Sequence, residues 1–312
     1  MKHLFFRKCL QLFLLLIAVC ICAFVIVRCL PGDPVIAQLN ATNTPVTEAS
    51  VALMRKELGL DTPRILQFFR WLFHLVQGDW GISYQTRRPV LSVLGVGLQY
   101  TMVLGVYAFV WIFFLSGVAG YLAARYEGSS LDGWIRWGTF LGASMPSFWL
   151  GFLLVWAFAL HFSWFPVQGA LGMRYVVLPS FTLACSYIAT YTKLLRNSIL
   201  EVMEQDFIHY SRARGCSEGV IFRKHVLPNA LAPLLTTFGM HFGSILSGAV
   251  IVENLFAWPG LGRIALQAMQ ARDYPILQGY ILLVALLFIL GNFLAETASM
   301  YCFPHLWRGD RL

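Results

Sequence analysis

The sequence predicts an all-α polytopic membrane protein. Of the 312 residues, 58% are hydrophobic and 12% are charged, which is roughly half the charged fraction of an ordinary soluble domain. The apolar residues form long continuous runs, unlike the alternating pattern of a transmembrane barrel. Because a backbone exposed to lipid must satisfy its own hydrogen bonds, helices are the expected spanning elements.

The first predicted span covers residues 9–30 and follows a basic start. Its apolar run is about 20 residues long, which is enough to cross a bilayer. No small-residue cleavage site follows it, so we expect residues 1–30 to form a cytoplasmic N-terminus and a retained helix rather than a signal peptide. Pro31 and Gly32 are predicted to end this helix.

Residues 31–98 are predicted to be a long periplasmic segment with two short helices. The stretch "TEASVALMRKELGL" has Thr47 as the N-cap and Gly59 near the C-cap. The stretch "PRILQFFRWLFHLV" mixes Trp, Phe and Arg in an amphipathic pattern that indicates a helix lying at the membrane interface.

Five further apolar blocks lie within residues 99–303, which are predicted to be the transmembrane core. Together with the first span they predict six transmembrane helices, and Met145-Pro146 predicts a kink in the third. The five blocks are residues 99–124, 136–163, 176–196, 229–256 and 278–303.

Basic residues predict the orientation of the chain. Thirteen Lys and Arg lie in the segments that are cytoplasmic if the N-terminus is inside, against three in the short outside loops. Positive residues accumulate on the cytoplasmic side, so both termini, including residues 304–312, are predicted to be cytoplasmic. The net charge of +8 is spread over these loops, which argues against nucleic-acid binding.

Residues 197–228 form the longest predicted cytoplasmic loop. Helical periodicity predicts one apolar face and a second short helix after Gly215 and Gly219, capped by Ser217 and Glu218, before Pro228 returns the chain to the membrane. The predicted face consists of Ile199, Met203, Phe207 and Tyr210, and these apolar side chains are expected to be exposed for a partner. This loop is either a docking element for a partner protein or a solvated loop whose charge only enforces topology.

The loop resembles the "EAA" loop of ABC importer permeases. Gly215 is followed by nine residues and then by His225-Val226-Leu227-Pro228, similar to the family's Gly, nine residues and Ile-x-Leu-Pro. His209 stands where the family has an acidic residue. The residues predicted to dock the ATPase are Tyr210, Ala213, Gly215, Ser217, Glu218, His225, Leu227 and Pro228.

Stretches along nearly the whole chain resemble the peptide/nickel branch of these permeases. They include "DWGISYQTRRPV", "LGASMPSFWL", "VLPSFTL" and "NLFAWPGLGR". The resemblance implies a type I ABC importer permease in the bacterial inner (plasma) membrane, in contact with membrane lipid and working by alternating access. The implied partners are a second permease, two ATPase subunits and a periplasmic solute-binding protein.

The chain itself is predicted to be non-catalytic and without a cofactor. It contains no Gly-Lys dipeptide, so it cannot build a P-loop. ATP and Mg²⁺ are therefore expected to bind the partner ATPases.

Three residues in or near the fifth span are candidates for the substrate path. Met240 and His241 form a transient Ni²⁺ site or, alternatively, His241 only packs within the bundle. Glu253 forms an acidic vestibule or pairs with Arg263. No firm metal-ligand set is predicted.

A turn after the fifth span is predicted to lie outside the membrane. It contains Trp258, Pro259, Gly260 and Gly262. This turn receives a binding protein, closes the path, or anchors the chain at the interface through Trp258.

The cargo predicted from the finer motifs is nickel or a metal chelate. The alternative within the family is a di- or oligopeptide. Two other classes are less consistent with the sequence: a stand-alone secondary transporter lacks its expected interrupted helix pairs, and a membrane enzyme lacks nucleophile–base or zinc spacing.

Overall fold

The computed structural model describes residues 2–29, 32–41 and 44–302, with side chains in 2–13 and at several positions in 40–41, 236–248 and 295–302 left out. In these residues it contains helices, turns and an isolated β-bridge between Ile82 and Pro89. The predicted helix stop at Pro31 and the predicted cytoplasmic tail 304–312 lie outside the described residues.

The described residues form thirteen α-helices and two π-helical segments. The first four helices are α1 (Lys2–Cys29), α2 (Pro34–Ala41), α3 (Glu48–Glu57) and α4 (Arg64–Val76). They are followed by α5 (Val90–Arg125), α6 (Ser130–Ser144), α7 (Ser147–Leu154) and a π-helical segment, Val155–His161. The remainder are α8 (Met173–Met203), α9 (Asp206–Ala213), α10 (Glu218–Ile221), a second π-helical segment (Phe222–Val226), α11 (Leu227–Leu255), α12 (Leu261–Ala271) and α13 (Tyr274–Cys302).

The two short helices predicted in residues 31–98 are present as α3 and α4. The Thr47 hydroxyl caps α3 by accepting a hydrogen bond from the Ser50 backbone N–H at 3.2 Å. Gly59 follows the helix end with a φ of +64°, the left-handed conformation that favours glycine. Local capping rules therefore predicted α3 correctly.

The kink predicted at Met145-Pro146 is a sharp bend. The axes of α6 and of the helical stretch 147–161 differ by 108°. Met145 is extended, with φ −80° and ψ 127°, because the proline ring disfavours helical backbone in the residue before it. The third predicted span is thus two helical arms rather than one rod.

In the described residues, two helices are long and apolar enough to cross a membrane. They are α5 and the Tyr274–Leu294 part of α13, with a third span if the bent pair counts as one. Shorter apolar stretches, Leu14–Cys29 and Gly243–Leu255, lie in α1 and α11. The predicted count of six spans is not confirmed by helix length and composition.

Contacts divide the chain into two compact units. The first comprises residues 1–101 and 259–289, and the second comprises residues 102–258 and 290–312.

The first unit is organised around a buried carboxylate. Asp273 is 2% exposed and accepts hydrogen bonds from the Ser83 hydroxyl at 2.5 Å and from the backbone N–H groups of Tyr84 and Gln85 at 3.1 and 3.2 Å. These bonds satisfy the carboxylate and fasten the loop before α5 to the corner between α12 and α13.

Close helix packing also holds the first unit together. A Cβ added at Gly97 would meet the Ile264 side chain at 2.5 Å, and one added at Gly279 would meet Val90 at 2.7 Å. Glycine at both positions therefore permits the backbone approach that the core requires.

In the second unit, α8 packs against α6, α7 and α11. A Cβ at Gly151 in α7 would meet the Leu255 side chain at 2.3 Å, so α7 and α11 approach closely there. Near the end of α8, Leu195 and Ile199 belong to a buried cluster beneath residues 208–226.

Candidate functional site

The candidate docking segment, residues 204–228, begins with a break in the helix. α8 ends at Met203, and Gln205 is extended (φ −71°, ψ 144°) before α9 starts. The predicted helical periodicity does not continue through this break, because an extended residue resets the rotation of the following side chains.

This break interrupts the predicted apolar face, and its residues differ in exposure. Ile199 is buried, whereas Phe207 and Tyr210 are 42% and 65% exposed. Ile208, which the prediction left out, is the α9 side chain that is fully buried. Phe207 and Tyr210 are thus exposed, as expected for side chains offered to a partner, whereas Ile199 and Ile208 pack into the buried cluster.

The turn after α9 is a Schellman motif centred on Gly215. The Gly215 N–H donates to the Arg212 carbonyl at 2.9 Å, and the Cys216 N–H donates to the Ser211 carbonyl at 3.2 Å. Gly215 has a φ of +81°, which this motif requires. The glycine predicted to break the helix therefore ends it in a defined geometry.

An ion pair closes the same turn. Arg212 Nε and Nη2 donate to the two Glu218 carboxylate oxygens at 2.8 and 3.3 Å. The hydrogen bond from Arg212 lowers the pKa of Glu218 below its ordinary value. Both side chains are solvated, so the pair orients the two short helices more than it stabilises them.

Apolar side chains anchor the docking segment from below. Ile208, Ile221 and Val226 are fully buried and share a cluster with residues of α5 and α8. Burying a large aliphatic side chain contributes about 1.5–3 kcal/mol. The segment is therefore a packed part of the second unit, with its turn projecting outward.

The predicted docking residues divide by exposure. His225 and Leu227 are half-buried, and the His225 ring lies 6.5 Å from the Phe207 ring. The exposed ones are Tyr210, Ala213, Gly215, Ser217, Glu218 and Pro228. The exposed residues before Pro228 lie on both sides of Gly215 along the chain.

A cavity of about 760 Å³ lies beside this turn. Its wall includes Arg125 at the end of α5, Glu204 after α8, and Arg223 in the second π-helical segment, together with the ion pair just described. The cavity therefore has charged walls and lies beside the exposed Gly215 turn.

His241, the candidate path histidine, is packed between aromatic rings. The Tyr187 and Tyr191 ring centroids lie 5.4 and 5.7 Å from its own, both edge-on. Its Nδ1 atom is buried without a hydrogen-bond partner in the described part of the chain. In the same residues, no three His, Cys, Asp or Glu side chains are close enough to hold a metal ion.

The other two candidates for the substrate path are Met240 and Glu253. The Met240 side chain lies outside the described residues. Glu253 is fully buried near the end of α11, and its backbone carbonyl accepts a hydrogen bond from the Trp258 N–H at 2.7 Å.

The residues predicted to form an outer turn are mostly enclosed. Trp258 is 3% exposed, which does not fit an interfacial anchor facing lipid headgroups. In the first unit, Pro259 is half-buried, and Gly260 and Gly262 are buried. Gly260 serves as the N-cap of α12 with an extended backbone.

One buried ion pair escaped the sequence-based predictions. Arg196 in α8 donates through Nε and Nη2 to both carboxylate oxygens of Asp132 in α6, each at 2.8 Å. Asp132 and Arg196 side chains are 2% and 15% exposed. The signal available was two opposite charges beside apolar blocks, but their separation of 64 residues gave no reason to pair them.

Comparison with known families covers both halves of the chain. Residues 116–306 match the family described as "Binding-protein-dependent transport system inner membrane component". Residues 1–105 match the corresponding N-terminal family of these membrane components.

Curated proteins and solved structures agree with this match. The chain is 37% identical over 292 residues to the glutathione transport system permease protein GsiC of Escherichia coli K12, covering 93% of this chain and 94% of that protein. The GsiC protein of Salmonella paratyphi A is 37% identical over 295 residues with the same coverage.

Among solved structures, one chain of an inward-facing MetNI methionine ABC transporter is similar to this protein, with a TM-score of 0.59 and 18% sequence identity. The alignment covers 68% of this chain and 97% of the MetNI chain. At that identity the likeness concerns the fold alone. The family matches and the curated relatives together show that this chain belongs to the binding-protein-dependent transport system inner membrane components, the non-catalytic permease subunits of ABC importers.

Proposed function

We propose that this permease subunit forms, with a second permease, the translocation path of an importer for small peptides. The observation that carries this proposal is the 37% identity over 93% of the chain to permeases named for glutathione transport. Glutathione is a small peptide, so this relationship supports the peptide alternative of the sequence-based prediction more than the nickel cargo that the finer motifs favoured.

The structure offers nickel little support. The His241 ring packs against two tyrosines, which agrees with the packing alternative for this residue. Replacing His241 with Phe keeps a ring between the tyrosines and removes both nitrogens. We expect cargo uptake to persist in this variant; a selective loss of nickel uptake would instead support the ligand alternative.

Uptake measurements separate the cargo hypotheses. In a strain that lacks this subunit, we expect uptake of radiolabelled glutathione or dipeptide to fall and uptake of radioactive nickel to be unchanged. The wild-type chain supplied in trans should restore the peptide uptake. Loss of nickel uptake with normal peptide uptake would reverse the assignment, and unchanged uptake of both would refute the two cargo hypotheses together.

We further propose six spans with both termini in the cytoplasm. Support comes from the distribution of Lys and Arg and from the apolar stretches of α1, α5, α11 and α13. In this topology the loop 77–89 is periplasmic and the Gly215 turn is cytoplasmic. Single cysteines placed at Asp79 and at Gly219 should react with an impermeant thiol reagent from opposite sides of the membrane; labelling from the same side would contradict the topology.

The Gly215 turn is proposed to dock an ATPase subunit. Its support is an exposed turn that is rigidly anchored: buried aliphatic side chains hold it from below, and the Schellman motif and the ion pair define its shape. A rigid turn transmits movement of a bound ATPase to α8 and α11, whereas a solvated loop would absorb it. ATP and Mg²⁺ would bind that ATPase, whose two copies pair with the two permeases.

Glu253 and Trp258, near the end of α11, are proposed to lie at the outer end of the path, where a periplasmic binding protein would deliver cargo or the path would close. Support for this placement is the enclosed position of a carboxylate and an indole near the end of α11. Replacing Trp258 with Ala should reduce uptake stimulated by the binding protein; unchanged uptake would remove Trp258 from the path. Pro259, Gly260 and Gly262 follow in sequence and are proposed separately as a contact for the binding protein.

A further inference from the structure

A groove between α1 and α4 combines positive charge with an apolar floor. It has a volume of about 270 Å³. Two arginines, Arg28 and Arg64, line it together with aliphatic and aromatic side chains: Ile21, Phe24, Val25, Ile65 and Phe68. Neither the docking segment nor the proposed path includes any of these residues.

The guanidinium group of Arg28 is fixed in position, but one of its nitrogens has no hydrogen-bond partner among the described residues. Its Nε and Nη2 atoms donate to Gln67 Oε1 at 3.1 and 2.7 Å, and its Cζ lies 3.6 Å from the Phe24 ring centroid. Nη1 is buried without a hydrogen-bond partner among the described residues. A buried guanidinium donor without a partner is unfavourable, so an anionic group that enters the groove beside Arg28 is favoured.

Gln67 is itself fixed, which makes the position of Arg28 well defined. Its Nε2 donates to the Thr62 and Leu60 carbonyls at 2.7 and 3.2 Å. The amide oxygen is therefore presented to Arg28 before any ligand binds, and the guanidinium group cannot turn freely away from the groove.

The second arginine and the shape of α4 indicate where the groove lies in the membrane. Arg64 is exposed at the start of α4, and its side chain makes no hydrogen bond or ion pair within the described residues. Along the same helix, Ile65 is 74% exposed and Phe69 and Phe73 are also exposed. An amphipathic helix with such a face lies in the interface between headgroups and acyl chains.

We propose that this groove binds an anionic phospholipid, with its phosphate between Arg28 and Arg64 and an acyl chain along Ile21 and Val25. Phosphate oxygens accept strong charge-assisted hydrogen bonds from guanidinium groups. The apolar floor favours a lipid over a free phosphate ion, because a phosphate ion has no apolar surface to bury there. A bound lipid would fill the space between α1 and α4 and hold the interfacial helix on the first span.

Native mass spectrometry of the importer complex in detergent tests this proposal, with phosphatidylglycerol and zwitterionic phosphatidylethanolamine as probes. We expect the wild-type complex to retain phosphatidylglycerol preferentially. The variant Arg64→Gln should bind it about tenfold more weakly, because it loses a charge-assisted hydrogen bond to the phosphate. Arg70→Gln is the matched control, because Arg70 is exposed on the same helix outside the groove, and it should bind as the wild type does.

Two further measurements separate a lipid from a free anion. Ile65→Ser leaves both arginines in place and should weaken phosphatidylglycerol binding without affecting any binding of inorganic phosphate. Millimolar inorganic phosphate should not displace the lipid. The lipid assignment would be overturned if inorganic phosphate displaced the lipid and Ile65→Ser bound phosphatidylglycerol as the wild type does. It would also be overturned if Arg64→Gln and the wild type bound the lipid equally. None of these outcomes depends on the cargo or on ATPase docking.

Discussion

Replacing Gly215 with alanine tests whether the shape of the docking turn matters. Gly215 has a φ of +81°, and a non-glycine residue pays about 1–2 kcal/mol to adopt the left-handed region. A Cβ at this position would meet nothing within 4 Å, so steric clash adds nothing to this cost. The perturbation therefore acts only on the backbone conformation of the Schellman motif.

This cost changes the population of the native turn about 5- to 30-fold relative to alternatives. We expect the Gly215→Ala complex to assemble and insert normally but to couple ATP hydrolysis poorly to transport. The assay measures cargo uptake and ATP hydrolysis in proteoliposomes together with the binding protein. The expected result is a lower ratio of cargo transported to ATP hydrolysed.

Two variants control for the chemistry of the substitution. Gly215→Asn should recover much of the coupling, because Asn tolerates the left-handed region better than Ala does. Gly219→Ala lies four residues further on in α10, where the nearest atom to an added Cβ is Arg223 Nη2 at 3.8 Å, and should couple normally. Normal coupling by Gly215→Ala, or equal defects in the Ala and Asn variants, would refute the role of the turn.

Three other substitutions probe the polar contacts. Asp132→Ala removes the two hydrogen bonds that hold the partly buried Arg196 and leaves it only Glu127 Oε1, 3.5 Å from Nη2. It should destabilise the chain by about 1.5–3 kcal/mol, seen as a lower melting temperature in detergent, and an unchanged melting temperature would contradict a stabilising pair. Asp273→Asn replaces one oxygen of a carboxylate that accepts four hydrogen bonds by an amide donor. It should increase protease cleavage of the loop before α5, whereas wild-type protection would argue against this anchor. The hydrogen bond from Arg212 lowers the folded-state pKa of Glu218, so the stabilisation by this pair is present at neutral pH and is lost as the pH falls through that lowered pKa. A spin label on a cysteine beside the turn should therefore become more mobile in acid. The Glu218→Gln variant should show no such transition.

Local chemistry predicted the ends of several elements correctly. Thr47 and Gly59 mark the ends of α3 because capping hydrogen bonds and left-handed glycine are decided by neighbouring residues. Pro146 marks the bend after α6 because its ring acts on the residue directly before it. Gly215 ends α9 for the same kind of reason.

Periodicity failed where the backbone changed direction. The face predicted from Ile199 to Tyr210 assumed one helix, but Gln205 is extended and Ile208 points inward instead. A single extended residue has little sequence signature, and burial against α5 and α8 decides which side of α9 faces the core. Sequence periodicity therefore identified the exposed Phe207 and Tyr210 but not the break at Gln205 or the buried position of Ile208.

Composition and short-range order by themselves determined the class of this protein: a low fraction of charge, continuous apolar runs, and a spaced Gly and Leu-Pro motif in a basic loop. The tertiary structure decided which distant groups meet. Asp132 joins Arg196 across 64 residues, and Ser83 joins Asp273 across 190. The reason is physical: a backbone conformation follows from its neighbours in sequence, whereas the partner of a buried charge is selected by the packing of whole helices, which no local pattern records.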